Sequence, residues 1–428
     1  MSLVLKNARL LEGEQEVTRN IHVEAGVIQT ISQQPIEATE EIDCSGLLLA
    51  PGFVDIHVHM REPGATDKET IATGTMAAAR GGFTTVCAMP NTRPVPDTEG
   101  NLALVQELIQ DHAYVSVLPY ASITTRQLGE ELTNMKALRA LGAVAFTDDG
   151  VGVQSADTML NAMQRAKEIG ASIVAHCEDN SLIHNGVIHQ GETSRALGVN
   201  GIPSVCESVQ IARDVLLAEA TGCHYHVCHV STKESVRVIR DAKRAGIPVT
   251  AEVTPHHLIL TEEDIVEDDA MFKMNPPLRS RDDRRALLNG LMDGTIDCIA
   301  TDHAPHTEEE KQQGLNNAPF GIVGLETAFS LLHTYLVKEQ RCSLKELIDW
   351  LTIKPASVFG LASGKIAVGQ RADFVLLDLT KESTINRHSL LSKGKNTPFH
   401  GYTVVGSPVL TMVSGEVVWK EELSYDKA

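Results

Sequence analysis

The strongest constraint on the fold is a repeated alternation of short β-branched runs with helical stretches between residues 51 and 360. Eight runs have the pattern of buried strands: 53–58, 83–89, 114–120, 143–147, 172–177, 224–230, 247–253 and 296–301. The segments between them, such as 156–170 and 232–246, have helical patterns, and most end at a glycine. Because repeated strand–helix units form parallel sheets, eight of them predict an α/β fold, a (β/α)8 TIM-type barrel.

The two ends of the chain differ from this central region. Both contain short strand-like pieces separated by turn glycines. We therefore expect residues 1–50 and 364–428 to form one composite β-sandwich-like domain beside a barrel of residues 51–363. The polar segment 303–321 follows the last barrel run, a position where long loops often cover an active site.

Charge and composition limit the partners of this chain. Its 428 residues carry a formal net charge of -19, whereas nucleic acids and anionic membranes attract basic surfaces. The longest apolar run, residues 47–56, is too short to span a bilayer, and the N-terminus lacks a signal-peptide pattern. We expect a cytoplasmic protein whose cysteines are reduced and buried, with neither nucleic acid nor membrane as partner.

Ionisable side chains collect where the predicted strands end, which is where the active site of a (β/α)8 barrel lies. The candidates are His57, His59, Asp148, Asp149, His176, His229, Asp302 and His306. His57 and His59 are two positions apart on one strand, so their side chains point the same way. Since imidazole and carboxylate bind zinc and similar ions, this pattern predicts a divalent metal site.

Other charged and histidine-containing stretches have simpler explanations. The stretch 223–229 lacks the paired spacing of a structural zinc site, and strand alternation predicts that His226 and Cys228 face away from His229. We expect the run 308–311, which reads EEEK, to be a solvated loop face.

The two adjacent histidines after the seventh run, His256 and His257, are ambiguous. Support of the metal ligands from a second layer of contacts is the role that we expect for them.

Eight motifs identify a family resemblance: DIHVHMREPG, MPNTRP, AFTDDGVGVQ, AHCED, CHVST, TPHHL, MNPPLR and ATDHAPH. Together they resemble the dihydroorotases of the amidohydrolase superfamily, and within them the bacterial class I type. The resemblance covers nearly the whole chain, including GKIAVGQRADFVLLD near the C-terminus. It implies reversible hydrolysis of (S)-dihydroorotate to N-carbamoyl-L-aspartate in de novo pyrimidine (UMP) biosynthesis.

The resemblance also implies roles for individual residues. His57 and His59 match ligands of a first metal, and His176 and His229 match ligands of a second. Asp302 matches the catalytic aspartate, which also contacts the first metal. The matches to substrate contacts are Arg61 and Asn91 for the substrate carboxylate, Asn275 and His306 for further polar contacts, and Phe320 and Gly321 for a backbone contact.

One departure from the wider superfamily concerns the ligand that bridges the metals. Many relatives use a carbamylated lysine after the fourth strand, but here no lysine occurs between Lys136 and Lys167. Asp149 is the natural substitute, and Asp148 is the alternative. The resemblance then implies Zn²⁺, at one or two ions per subunit with two favoured.

This resemblance predicts a mechanism. A zinc pair would lower the pKa of bound water to about 7 and polarise the substrate carbonyl. Asp302 would move the proton between the attacking hydroxide and the leaving nitrogen as general acid/base. The metal ions and Arg61 would make the pocket locally positive, which explains how an acidic protein accepts an anionic substrate.

Two alternatives stay open from the sequence alone. A hydantoinase or dihydropyrimidinase-like imidase would act on rings without a carboxylate, and Arg61 and Asn91 argue against it. A non-catalytic scaffold bound to aspartate carbamoyltransferase would be expected to lack ligands, yet every ligand position is filled. A homodimer, and association of the active enzyme with that transferase, are compatible partners.

Overall fold

The computed structural model describes residues 2–421. Its strands, in chain order, are β1 (Ser2–Glu12), β2 (Gln15–Glu24), β3 (Val27–Ser32), β4 (Glu40–Asp43), β5 (Leu48–Pro51), β6 (Phe53–Val58), β7 (Phe83–Ala88), β8 (Ser116–Pro119), β9 (Ile173–Ala175), β10 (Ile188–His189), β11 (Gly201–Ile202), β12 (Tyr225–Val227), β13 (Val249–Val253), β14 (Cys298–Ile299), β15 (Phe374–Thr384), β16 (Thr403–Val413) and β17 (Glu416–Lys420).

The α-helices are α1 (Ile71–Arg80), α2 (Glu99–His112), α3 (Met135–Ala140), α4 (Ala156–Glu168), α5 (Glu192–Leu197), α6 (Val205–Thr221), α7 (Lys233–Arg244), α8 (Pro255–Ile259), α9 (Arg281–Met292), α10 (Glu308–Lys311), α11 (Gly314–Asn317), α12 (Ala328–Leu332), α13 (Leu344–Leu351) and α14 (Ile353–Val358). Hydroxyl N-caps explain several starts. The side chains of Thr98, Ser155 and Thr232 each accept a hydrogen bond from a backbone N–H in the first turn of α2, α4 and α7.

One large sheet is built from both ends of the chain. Its order is β17-β16-β15-β5-β1-β2-β3, with β4 paired to β1. The junction is the antiparallel pair β5 and β15, in which Leu49 lies opposite Leu376. Leu5, Ile21 and Phe374 are fully buried beneath this sheet, so it has its own apolar core.

Two parallel sheets carry the centre of the chain, one of order β6-β7-β8 and the other of order β14-β13-β12-β9. Single parallel bridges lie between their edges: Phe146 pairs with both Ala121 and Ile173, and Val58 pairs with His303. Seven of the eight predicted runs contain a strand, and the run 143–147 contributes only the bridges through Phe146. The run 143–147 forms only single bridges and not a continuous strand.

Helices pack against the parallel strands through apolar faces. In α7, for example, Val236, Ile239 and Ala242 are buried at helical spacing, while the charged residues point outward. All eight cysteines are buried and unpaired, as the sequence predicts. Among residues 2–421, no helix has the length and apolar content needed to cross a membrane.

Candidate active site

Six buried ionisable side chains converge beyond the carboxyl ends of the parallel strands. They are His57 and His59 at the end of β6, Asp149 after the run 143–147, His176 after β9, His229 after β12 and Asp302 after β14. Each is at most 7% exposed. The adjoining cleft has a volume of about 180 Å³. The structure therefore brings together every residue that the resemblance implies as a metal ligand.

Two carboxylates lie between the imidazoles. His57 Nε2 lies 3.4 Å from Asp302 Oδ1 and 3.5 Å from Asp149 Oδ1. His59 Nε2 lies 3.0 Å from Asp302 Oδ1 and 3.6 Å from Asp149 Oδ2. On the other side, His176 Nδ1 lies 3.0 Å from His229 Nε2 and 4.0 Å from Asp149 Oδ1. Asp149 thus faces the pair His57 and His59 on one side and the pair His176 and His229 on the other, as a ligand that bridges two metal ions must.

The donor atoms of this cluster fit a divalent metal ion. Ligand atoms of Asp149, His176 and His229 lie within 4.8 Å of one another, and so do those of His57, His229 and Asp302. His57 Nε2, Asp149 Oδ1 and His229 Nδ1 are buried and have no hydrogen-bond partner within residues 2–421. Because an unsatisfied buried polar atom is costly, a cation between His57 Nε2 and Asp149 Oδ1, which lie 3.5 Å apart, accounts for two of the three. Imidazole with carboxylate is a donor set that suits zinc and similar ions.

Electrostatics favours the metal-binding protonation state at His229 and Asp302. At His57 and His176 burial would lower the pKa, but the acidic groups around them raise it, so a metal ion would displace a proton from these two imidazoles. Burial, together with the neighbouring His176, lowers the pKa of His229 well below its ordinary value, so its imidazole is neutral. Burial alone would raise the pKa of Asp302, but His57 and His59 outweigh burial and hold it below the usual range. A neutral imidazole and an ionised carboxylate are the forms that bind metals.

Asp148, the alternative bridge, points away from the cluster. Its carboxylate accepts hydrogen bonds from the backbone N–H of Ile123, at 2.8 Å, and of Thr124, at 3.1 Å, and it also contacts the Thr124 hydroxyl. These contacts make Asp148 a structural residue that joins the segment before Asp149 to Ile123 and Thr124.

Glu252, on β13, is a supporting residue that sequence reasoning missed. Its fully buried carboxylate accepts hydrogen bonds from His57 Nδ1, at 2.6 Å, and from His226 Nε2, at 3.0 Å. Burial opposes its ionisation, yet His57 and His226 hold the pKa of Glu252 below its usual range. Metal-bound histidines commonly direct their second nitrogen to such a carboxylate. The sequence signal that could have identified Glu252 is an acidic residue inside the otherwise apolar run 247–253.

Glu178, within the motif AHCED, is a second missed residue. Its Oε2 lies 3.4 Å from His176 Nε2. Both of its carboxylate oxygens accept hydrogen bonds from Asn275 Nδ2, at 3.1 and 3.0 Å. Glu178 therefore links a candidate metal ligand to a candidate substrate contact.

The residues predicted to contact the substrate lie around the same cleft: Arg61, Asn91, Asn275, His306, Phe320 and Gly321 all line it. Asn91 also orients the candidate ligands, since its Oδ1 accepts from His59 Nδ1 at 2.9 Å and its Nδ2 donates to Asp149 at 3.3 Å. The Arg61 Nε donates to the Pro305 carbonyl at 3.2 Å, and this bond fixes the guanidinium at the rim.

His306 is held in its neutral form. Burial and the nearby Arg61 lower the pKa of His306 to about 2. Its Nε2 donates to the Phe320 carbonyl at 2.8 Å, and its Nδ1 lies 3.4 Å from Lys68 Nζ. A neutral imidazole beside two cations adds no charge to the cleft.

Strand alternation predicts that His226 and Cys228 face away from His229, and Cys228 departs from this expectation. The Cys228 sulfur lies within 4.8 Å of ligand atoms of His57 and Asp149, whereas His226 contacts Glu252. The reason is that β12 ends at Val227 and His229 has a left-handed backbone, with φ of 29°, so alternation does not continue to His229.

The expectation for the EEEK run is also wrong at one position, because Lys311 is only 2% exposed.

The histidine pair after β13, His256 and His257, is buried. His257 Nε2 donates to the carbonyl of Pro276, the residue after Asn275, at 3.0 Å. His256 Nε2 has no partner among the described residues. His257 thus supports the Asn275 segment rather than a metal ligand.

Comparison with known proteins identifies the family. A family model described as dihydro-orotase-like matches residues 46–235. A dihydroorotase from Geobacillus sp. is 61% identical over 424 residues, which cover 98% of this chain and 99% of that protein. A dihydroorotase from Bacillus subtilis is 60% identical over 425 residues, with the same coverage of 98% and 99%. The chain belongs to the dihydroorotase family. The resemblance found in the motifs is thereby confirmed.

Solved structures similar to this dihydroorotase family member include hydantoinases. An L-hydantoinase (dihydropyrimidinase) from Arthrobacter aurescens superposes with a TM-score of 0.88 at 28% identity, over 98% of this chain and 96% of that one. A D-hydantoinase (dihydropyrimidinase) from Thermus sp. gives 0.81 at 26% identity, over 97% and 94%. The dihydroorotase family member shares their fold over nearly its entire length.

Proposed function

We propose that this chain is a dihydroorotase that interconverts (S)-dihydroorotate and N-carbamoyl-L-aspartate in de novo UMP biosynthesis. One observation carries the proposal: six candidate metal ligands and Arg61 meet at one cleft in a member of this family. In ring opening, the oxygen of water joins the ring carbonyl carbon, the carbon–nitrogen bond breaks and the nitrogen takes up a proton. Ring closure reverses these steps and releases water.

We infer that the two parallel sheets close into a (β/α)8 barrel of residues 51–363, and that residues 1–50 and 364–428 form the β-sandwich-like domain. The bridges through Phe146 and between Val58 and His303 support closure, because they join the edges of both sheets. The shared sheet of β5 and β15 supports the composite domain. Met1 and residues 422–428 lie outside the described part of the chain.

These residues would hold two zinc ions per subunit. His57, His59 and Asp302 would bind the first ion, and His176 and His229 would bind the second. Asp149 would contact both ions, since it lies beside His57 and His59 on one side and 4.0 Å from His176 Nδ1 on the other. When bound, the metal supplies Lewis-acid polarisation of the carbonyl and lowers the pKa of water.

Asp302 would carry the proton in both directions. Its neighbours keep it ionised, so it can accept a proton from the attacking water and deliver it to the leaving nitrogen. Its left-handed backbone, with φ of 49°, is uncommon for a non-glycine residue, and such strained conformations cluster at active sites. The Asp302 side chain is only 10% exposed, which limits proton exchange with bulk water.

The residues around the candidate metal ligands would bind the substrate anion. Arg61 would hold the ring carboxylate through charge-assisted hydrogen bonds, with Asn91 beside it. Asn275, His306 and the backbone at Phe320 and Gly321 would contact the remaining polar atoms of the ring. Local cations thus offset the acidic protein surface, whose field is screened over about 8 Å.

The decisive experiment compares cyclic substrates with purified, metal-analysed protein. Dihydroorotate, dihydrouracil and hydantoin would be offered at equal concentrations, and ring opening would be followed by chromatography. We expect turnover of dihydroorotate to exceed that of both uncharged rings by a large factor. Preference for an uncharged ring would reject the dihydroorotase proposal and favour an imidase.

Hydantoin or dihydropyrimidine hydrolysis is the second candidate, because a solved L-hydantoinase (dihydropyrimidinase) shares 28% identity with this chain. Arg61 distinguishes the two candidates, since those rings have no carboxylate for a guanidinium to bind. A cytoplasmic location, a homodimer and a complex with aspartate carbamoyltransferase are further proposals. Sedimentation of the protein alone and with that enzyme would test both assemblies.

A further inference from the structure

A buried lysine lies at the end of α10, outside the candidate metal cluster. The Lys311 ammonium donates to three backbone carbonyl oxygens, those of Lys273, Pro319 and Gly321, each at 3.0 Å. The side chain is only 2% exposed. Lysine is rarely buried because its ammonium loses hydration, so the protein must satisfy all three donors, as it does here.

The three carbonyls belong to two separate segments of the cleft wall. Lys273 lies two residues before Asn275, and Pro319 and Gly321 flank Phe320 on either side. Asn275, Phe320 and Gly321 all line the cleft. The Gly321 N–H also donates to the Lys273 carbonyl at 3.0 Å. One ammonium therefore ties together the two backbone segments that face the substrate position.

The ammonium also balances the electrostatics of this junction. Three carbonyl oxygens that converge on one point repel each other unless a cation lies between them. Burial and the neighbouring Lys273 lower the pKa of Lys311 to about 7, whereas the three carbonyl acceptors favour its charged form. Only the ammonium has three N–H donors, and the geometry uses three.

Asn396 holds the same loop from its other side. Its Nδ2 donates to the carbonyls of Ala304, at 2.9 Å, and Gly321, at 3.0 Å. His306 in turn donates to the Phe320 carbonyl. The neutral amide of Asn396 reaches neither Lys273 nor Pro319 by any described hydrogen bond. Lys311 therefore provides the side-chain link between the two segments, in addition to the backbone bond from Gly321 to Lys273.

We propose that Lys311 is a positioning residue that clamps the Phe320-Gly321 backbone against the Asn275 segment and thereby sets the shape of the substrate cleft. This inference rests on the proposed function for its catalytic consequences. Within residues 2–421, Lys311 forms no hydrogen bond to a candidate metal ligand. Its effect on the substrate is exerted through the backbone and through Asn275.

The test uses Lys311→Ala and Lys311→Met in the full chain, with Lys354→Ala at an exposed lysine as control. We expect both Lys311 variants to raise the KM for dihydroorotate about tenfold to hundredfold, with a smaller change in kcat and unchanged metal content. The Met variant keeps the aliphatic packing, so a defect in it comes from the lost donors. Wild-type KM in the Met variant would overturn the clamp.

Chemical rescue separates positioning from a general structural role. Added ethylammonium can occupy the space left in Lys311→Ala and restore N–H donors, whereas tetramethylammonium has the same charge and no donor. We expect only ethylammonium to lower the KM toward the wild-type value. Equal effects of the two cations would contradict a clamp that works through hydrogen bonds.

Hydrogen exchange tests the clamp independently of activity. The Gly321 and Val323 amides, both hydrogen-bonded in the structure, should exchange faster in the Met variant than in the Lys354→Ala control. Unchanged exchange at these amides would refute the clamp. A wild-type protein that does not hydrolyse dihydroorotate would refute the proposed function, and the exchange result would still decide the role of Lys311.

Discussion

Replacement of Glu252 by Gln tests whether the buried carboxylate supports the candidate metal site. Glu252 accepts from His57 Nδ1 at 2.6 Å, from His226 Nε2 at 3.0 Å and from the His229 N–H at 3.3 Å. Gln has the same shape but a single acceptor oxygen and two N–H donors. It cannot accept from both imidazoles, so one of them must change its tautomer or turn.

The magnitude follows from these contacts. A hydrogen bond to a charged acceptor contributes about 1.5–3 kcal/mol. Since about 1.4 kcal/mol corresponds to a tenfold change in an equilibrium constant, loss of one such bond weakens metal binding about tenfold to hundredfold. The same range is typical when a supporting contact of a metal ligand is removed. Packing should change little because the two side chains are nearly isosteric.

The assay is a competition between the metal-free protein and a chromophoric chelator for Zn²⁺. Glu219→Gln, at an exposed position of α6, is the matched control. The visible spectrum of the Co²⁺-loaded protein gives a second measurement, because a turned His57 changes the ligand field. Metal affinity and Co²⁺ spectra equal to those of the control would show that Glu252 does not orient His57.

Three further predictions address catalysis and stability. Asp302→Asn should lower kcat for dihydroorotate about a hundredfold to ten-thousandfold while metal analysis shows retained metal; undiminished turnover would exclude Asp302 as the proton carrier. Arg61→Met should raise the KM for dihydroorotate about tenfold to hundredfold but leave uncharged rings little affected; equal losses on both would contradict the carboxylate contact. Phe374→Ala removes a fully buried ring under the β-rich sheet and should lower the free energy of unfolding by about 3–5 kcal/mol in chemical denaturation, and a much smaller loss would mean that this core is less tightly packed than described.

Much of the fold follows from local sequence patterns. Seven of the eight β-branched runs contain a strand, because continuous apolar runs of this length favour buried parallel strands. The run 143–147 lacks a named strand, although Phe146 pairs on both sides. The spacing of His57 and His59 also follows from the two-residue period of a strand. Their placement at one cleft with Asp302, 243 residues beyond His59, required the structure.

The supporting residues were not predictable in the same way. Glu252 is 195 residues from His57 in sequence, and nothing in the local pattern pairs them. His229 leaves the strand with a positive φ, so a rule based on strand alternation fails at that residue. Lys311 lies in an acidic run that is typical of solvated loops, yet its ammonium is buried against three carbonyls.

The amino-acid sequence alone determined the family, the strand–helix order and the identity of the candidate ligands, because hydrophobic period and motif spacing are properties of neighbouring residues. Only the tertiary structure decided that Asp149 faces two histidine pairs, that Glu252 accepts a hydrogen bond from His57, and that Lys311 donates to the backbone of the cleft wall. A charged group can be buried only where distant segments supply its partners, and local sequence carries no record of those segments.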